Sequence, residues 1–140
     1  MRIEPASFES DYAAIRRVRF TVFVDEQHVP EEIELDERDP LCLHLVAYDD
    51  GGGPIGTGRL DVGYGGKIGR VAVLESARRS GVGSALMSRL HDLAAGAGLG
   101  SVWCNAQISA AAFYERLGYR TVGEHFYEAG IEHVRMEREL

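Results

Sequence analysis

Arg78-Arg79-Ser80-Gly81-Val82-Gly83 stands between the apolar run Lys67-Ile68-Gly69-Arg70-Val71-Ala72-Val73-Leu74 and a stretch in which Val82, Leu86, Leu90, Leu93 and Ala97 recur at helical spacing. The run reads as a central strand covered on both faces. The periodic stretch reads as an amphipathic helix ending in Gly96-Ala97-Gly98. A strand that turns directly into a helix leaves the first helical N–H groups without intrahelical acceptors and pointing outward, where they attract phosphate. Gly81 and Gly83 let a ligand approach the backbone, and Arg78 and Arg79 can add charge-assisted hydrogen bonds to a pyrophosphate. An ordinary strand-to-helix turn has the same local signature. Neither nucleotide fingerprint is met, because G-x-G-x-x-G needs a third glycine and the P-loop needs a Gly-Lys-Ser/Thr ending.

Working outward, Arg2 to Ile3 reads as a short strand, followed from Ser10 by a helix that places Ile15, Val18 and Val22 on one face, with Ser10 or Asp11 as N-cap, and ends near Gln27. Pro30 and the acidic residues after it predict a loop or a short second helix. Leu43 to Tyr48 and Pro54 to Val62 read as strands, and Gly51-Gly52-Gly53 between them favours an antiparallel hairpin. Val102 to Ala106 is a fifth strand, Ser109 to Leu117 a short helix stopped at Gly118, and Tyr119 to Tyr127 with Ile131 to Arg138 a closing pair. A helix linking the strand at Lys67 to the strand at Val102 is a crossover, which requires a parallel pair inside an otherwise antiparallel sheet. The expected class is mixed α/β, and residues 1–140 are expected to form a single domain.

The 140 residues are 45% hydrophobic and 26% charged, as in an ordinary globular protein. No apolar run reaches the roughly 20 residues that span a bilayer, and Met1-Arg2-Ile3-Glu4-Pro5 does not resemble a secretory signal. A cytoplasmic protein without membrane partners is the expectation. A formal net charge of -7 opposes nucleic-acid binding, which draws its affinity from Lys and Arg on phosphates. The acidic run Glu31, Glu32, Glu34, Asp36, Glu37 and Asp39 reads either as a solvated loop or as an attractor for a cationic substrate. Cys42 and Cys104 lie in apolar, strand-like runs, where a free thiol packs. Cys42 and His44 share a strand face, but no further residues fall at zinc spacing, so no metal is expected. Arg59 and Arg70, in strand-like runs, need a carboxylate or an anionic ligand.

With these elements in place, the chain resembles the GNAT superfamily of acyl-CoA N-acyltransferases. That family's Arg/Gln-x-x-Gly-x-Gly/Ala motif is matched by Arg78, Gly81 and Gly83, and its later strand-and-helix motif by Gln107-Ile108-Ser109-Ala110-Ala111-Ala112-Phe113-Tyr114-Glu115-Arg116-Leu117-Gly118-Tyr119, with Gln107 in place of the commoner Asn. The flanks Arg19-Phe20-Thr21-Val22-Phe23-Val24-Asp25-Glu26-Gln27 and Glu128-Ala129-Gly130-Ile131-Glu132-His133 resemble the ElaA/YjcF-like group. The resemblance implies a GNAT fold: a mostly antiparallel sheet of six or seven strands with one splayed parallel pair and about four helices. It implies acetyl-CoA as acyl donor, held by the backbone of Val71, Ala72 and Val73, by Arg78, Arg79, Ser80, Gly81, Val82, Gly83 and Ser84, and by Gln107, Ala110, Phe113 and Tyr114.

Tyr114 matches the position from which family members protonate the departing thiolate, and a phenol with a pKa of about 10 carries the proton required. The alternative is that Tyr114 merely packs or hydrogen-bonds the sulfur. A lysine-like amine, with a pKa of about 10.4, must lose a proton before it attacks. Glu26, at the end of the first helix, is the first choice for the base, followed by Asp36 and His133; each is equally open to a purely structural reading. The resulting expectation is acetyl transfer to a primary amine by direct attack, with a non-catalytic acyl-CoA-binding module as the alternative. The acceptor is not legible, and a homodimer is the commonest assembly for a small protein of this kind.

Overall fold

In the computed structural model, which describes every residue from Met1 to Leu140, seven strands hydrogen-bond into one sheet. They are β1 (Arg2–Ala6), β2 (Leu43–Tyr48), β3 (Pro54–Asp61), β4 (Lys67–Val73), β5 (Ser101–Gln107), β6 (Arg120–Glu128) and β7 (Ile131–Glu139). Their order across the sheet is β1-β2-β3-β4-β5-β7-β6, and every neighbouring pair is antiparallel except β4 with β5. The helices are α1 (Tyr12–Arg19), α2 (Glu31–Glu34), α3 (Val82–Gly96) and α4 (Ala111–Arg116). This is the mixed α/β architecture that the crossover demands.

Helix α3 packs on one face of the sheet through Val82, Leu86, Met87, Leu90 and Ala94, all buried in the main core. Leu93 is only half-buried and Ala97 is exposed, so the apolar stripe drifts off the core in the last turn. Strand β3 admits this helix closely because it presents Gly56 and Gly58: a Cβ at either would meet Leu86, Val82 or Leu90 at 3.0 Å. Helix α1 covers the opposite face with Ile15 and Val18. It continues to Glu26, the expected end, but Phe20–Glu26 is wound as a π-helix, which the apolar spacing does not signal. Asp11 does not cap α1 with its side chain; it accepts instead from the Ser7 amide.

Strand β4 departs from the expectation of a strand covered on both faces, since only Ile68 and Ala72 of its seven residues are buried. A bulge and an opening explain this. Thr57 pairs with Ala72 and Arg59 with Gly69, so Gly58 faces both Arg70 and Val71, and Arg70 takes a φ of 52°. The extra residue turns Gly69 and Arg70 toward the α1 face while Val71 and Val73 return to the α3 side. The opening lies between β4 and β5.

The bulge also delivers Arg70 to a buried ion network. Arg19, 1% exposed, donates from Nε to Glu34 Oε1 at 2.8 Å and from Nη1 to Asp39 Oδ1 at 2.7 Å. Arg59 donates to Asp36 at 2.8 and 2.9 Å and to Asp39 at 2.6 Å, and Arg70 reaches Asp36 at 3.3 Å. Half of the acidic run is therefore neither a solvated loop nor a lure for a cation: Glu34, Asp36 and Asp39 neutralise arginines that the sheet and α1 hold out of water. Glu31, Glu32 and Glu37 stay exposed. Burial works against ionisation of Asp36, yet hydrogen bonds and charge from Arg59, with the charge of Arg70, outweigh it and pull its carboxyl from 3.8 to about 2.

Removing one partner of such a network leaves a buried charge uncompensated. Asp39→Ala should cost about 3–5 kcal/mol in urea unfolding; a loss below about 1 kcal/mol would show that solvent reaches the arginines. Asp36, with its lowered pKa, stabilises the fold fully above about pH 4 and loses that contribution as pH falls toward 2. Asp36→Asn should flatten that acid limb of the stability profile.

Candidate active site

Strands β4 and β5 share one registered pair, Lys67 with Trp103, fixed by the Trp103 amide donating to Gly66 O at 3.2 Å. Beyond it they diverge, and a cavity of about 500 Å³ opens between them. Val71, Ala72 and Val73 line one side, Asn105 and Gln107 the other, and Tyr114 and His133 also reach it. Across its α1 side, Gln107 Nε2 donates to Gln27 Oε1 at 2.7 Å, joining the end of β5 to the end of the π-helix.

At the open end of β4 the chain enters the turn that leads into α3. The Ala77 and Arg78 amides bond back to Leu74 and Glu75, and the Ser80 hydroxyl bonds to Ala77 O. Arg79 and Gly81 then adopt left-handed backbone, with φ of 63° and 84°. The first intrahelical bond runs from the Ala85 amide to Gly81 O at 3.0 Å, so the amides of Val82, Gly83 and Ser84 have no partner in the protein. Gly81 has open space where a Cβ would stand; Gly83 packs against the Phe113 ring, 3.5 Å from its would-be Cβ. The Val82 side chain is buried in the core, so only its backbone faces the turn. Consecutive free amides at a helix N-terminus form an anion seat.

The two arginines of the turn separate in role. Arg78 donates from Nε to Val73 O at 2.9 Å and from Nη2 to both Glu26 oxygens at 2.8 and 2.5 Å. Glu26 is thereby tied to the anion turn and is absent from the cavity wall, whereas Arg79 is exposed and makes no ion pair. Asp36 is held by Arg59 and pulled to about 2, too acidic for a base near neutrality.

Tyr114 projects from α4 with its ring edge-on to Phe113 and Tyr119, at 5.1 and 5.5 Å. Burial, reinforced by Cys104, raises its pKa, so the phenol keeps its proton at neutral pH. His133, 8% exposed, donates from Nδ1 to Ile131 O at 2.7 Å. A carbonyl can only accept, which puts the proton on Nδ1 and leaves the Nε2 lone pair free.

The family model described as an acetyltransferase (GNAT) domain matches residues 9–140. The chain belongs to the GNAT acetyltransferase family. The uncharacterized N-acetyltransferase YjcF of Bacillus subtilis is 44% identical over 125 residues, 87% of this chain and 88% of that protein. An acyl-CoA N-acyltransferase structure from Pseudomonas aeruginosa superposes with a TM-score of 0.86 at 32% identity, covering 99% of each chain. Escherichia coli ElaA superposes with a TM-score of 0.89 at 26% identity, covering 99% of this chain and 100% of that one. The ElaA/YjcF-like resemblance and the GNAT fold are thus both found.

Against this GNAT frame, the cavity gathers Val71, Ala72, Val73, Arg78, Gln107, Ala110, Tyr114 and His133 as lining residues. Arg79, Ser80, Gly81 and Ser84 lie outside it, along the exposed turn, and Phe113 stands behind Gly83. Sequence reasoning missed Asn105 and Glu128, which also line the cavity. Asn105 had a usable signal, since it alternates with Trp103 and Gln107 along β5. No group of three or more His, Cys, Asp or Glu side chains is arranged to hold a metal ion. Cys104 reaches the cavity, but burial pushes its thiol up to about 12, far from a reactive thiolate. In the folded GNAT chain Cys104 should resist iodoacetamide at about pH 8 and react after unfolding; rapid native labelling, mapped by mass spectrometry, would restore it as a candidate nucleophile.

Proposed function

We propose that the protein transfers the acetyl group of acetyl-CoA to a primary amine, by direct attack of the amine on the thioester. The observation that carries this reading is one continuous path: free amides at the start of α3, an unpaired edge of β4, and then Tyr114 and His133 in the same cavity. A pyrophosphate suits the amides of Val82, Gly83 and Ser84, with Arg79 as the available guanidinium. The pantetheine arm, with its two amides, suits the edge of Val71, Ala72 and Val73 as an added strand would, up to the Val73 carbonyl that Arg78 already occupies. Membership in a family whose relatives include an acyl-CoA N-acyltransferase supports the same donor.

The chemistry follows from the groups that remain free. His133 Nε2 takes a proton from the acceptor ammonium, and the freed nitrogen lone pair attacks the thioester carbonyl. A β4 amide donates to the carbonyl oxygen as negative charge builds there. The C–N bond forms, the C–S bond breaks, the Tyr114 hydroxyl gives its proton to the departing thiolate, and the second proton shed by the new amide nitrogen returns to the Tyr114 oxygen. The Cys104 thiol, held protonated, takes no part as an acyl carrier.

Thiol release from acetyl-CoA with a panel of primary amines tests the reaction. Acetyl-CoA binding without thiol release across that panel would make the protein a binding module. Tyr114→Phe should lower turnover by roughly 100-fold while leaving the acetyl-CoA Kd at the wild-type value. Unchanged turnover would remove Tyr114 from the acid role.

A further inference from the structure

The β6–β7 hairpin closes through Ala129 and Gly130, both at positive φ (52° and 76°), a two-residue turn whose twist matches paired antiparallel strands. It sets Glu128 opposite Ile131 and Phe126 opposite His133. Alternate residues of a strand share a face, so these four side chains project together. Their face is a wall of the cavity, lined by Glu128, Ile131 and His133, with Phe126 stacked on the imidazole at 5.8 Å.

Two carboxylates line that cavity, and only one is uncommitted. Glu34 accepts from Arg19 at 2.8 Å and lies 3.5 Å from Arg70. The Glu128 carboxylate accepts no hydrogen bond; its nearest partner is His133 Nε2, at 3.9 Å from Oε2. That gap is too long for a direct hydrogen bond and suits a third polar atom, because a nitrogen about 2.9 Å from both closes the triangle. An alkylammonium has the donors, one N–H for Glu128 Oε2 and one for His133 Nε2. The facing wall is mostly apolar, with Val22, Phe23, Val29 and Ile33, and its polar members are already engaged, Gln27 by Gln107 and Glu34 by Arg19.

We propose that Glu128 is the seat of the acceptor's ammonium group and that the acceptor is a small primary amine on an apolar arm. This rests on the amine-acetylation reading and adds to it the residue that selects the acceptor. Glu128 holds the cation against His133; one N–H proton passes to Nε2, and Glu128 stays ionised beside the imidazolium while the neutral amine moves to the thioester.

The test is calorimetric titration of the CoA-loaded protein with 2-phenylethylammonium and with 3-phenylpropionate, which reverses the charge on a matching arm. Wild type should bind the cation in preference to the anion. Glu128→Gln should weaken cation binding by at least about tenfold, and Glu128→Lys should reverse the preference. In thiol release, Glu128→Gln should raise the amine KM by a similar factor with acetyl-CoA affinity unchanged. Equal cation affinity in wild type and Glu128→Gln, or no charge preference in wild type, overturns the seat even where amines are acetylated. Cation binding that depends on Glu128 but yields no thiol release with any amine supports the seat and overturns acetyl transfer instead.

Discussion

Past the pair Lys67–Trp103, β4 and β5 run apart, and a strand edge taken out of its ladder must find other partners for its N–H and C=O groups. Three residues beyond that pair, the bulge at Arg70 bends β4 just where pairing with β5 has stopped. The other features of the site follow from this separation. The cavity occupies the wedge, α3 starts at its open end with three unpartnered amides, and α4 hangs Tyr114 from the far strand. A fully paired β4–β5 ladder would satisfy the backbone and leave no place for a substrate.

The wall opposite the hairpin stands on the arginine–carboxylate network. A short helix such as α2, four residues long, has little stability of its own, and its cavity-facing Ile33 and Glu34 hold position because Arg19 binds Glu34 through both side chain and carbonyl. Arg70 adds a bond from β4 to the same carbonyl at 3.2 Å. The two walls of the cavity are therefore coupled through one bulged residue: the distortion that opens the sheet also points Arg70 at the loop that closes the other side.

Where local periodicity governs, sequence and structure agree. The stripe of α3 was legible because Val82, Leu86 and Leu90 are apolar, buried and spaced by one turn. The turn into α3 was legible because its glycines and arginines fall together between the end of β4 and the start of the helix. What escaped depends on distant partners or on backbone departures with no compositional mark. Nothing in Phe20–Glu26 announces a π-helix, and nothing in Lys67–Val73 announces that an arginine will take positive φ. The pairing of Arg19 with Asp39 joins residues 20 apart, and that of Arg59 with Asp36 residues 23 apart, so the acidic run looked like surface. Glu128 has no mark of its own in the sequence, because its relation to His133 is created by the register of the Ala129–Gly130 turn.

The ion network has a further consequence at long range. Arg19, Arg59 and Arg70 are set against Glu34, Asp36 and Asp39, three positive charges against three negative ones interleaved within hydrogen-bonding distance. Such an array is a compact multipole whose potential collapses within about one Debye length, roughly 8 Å at physiological salt. It lends rigidity to the cavity while adding almost nothing to the far field, so the long-range pull on an arriving cation comes from the exposed carboxylates of a chain with net charge -7, among them Glu31, Glu32 and Glu37, and not from the buried array.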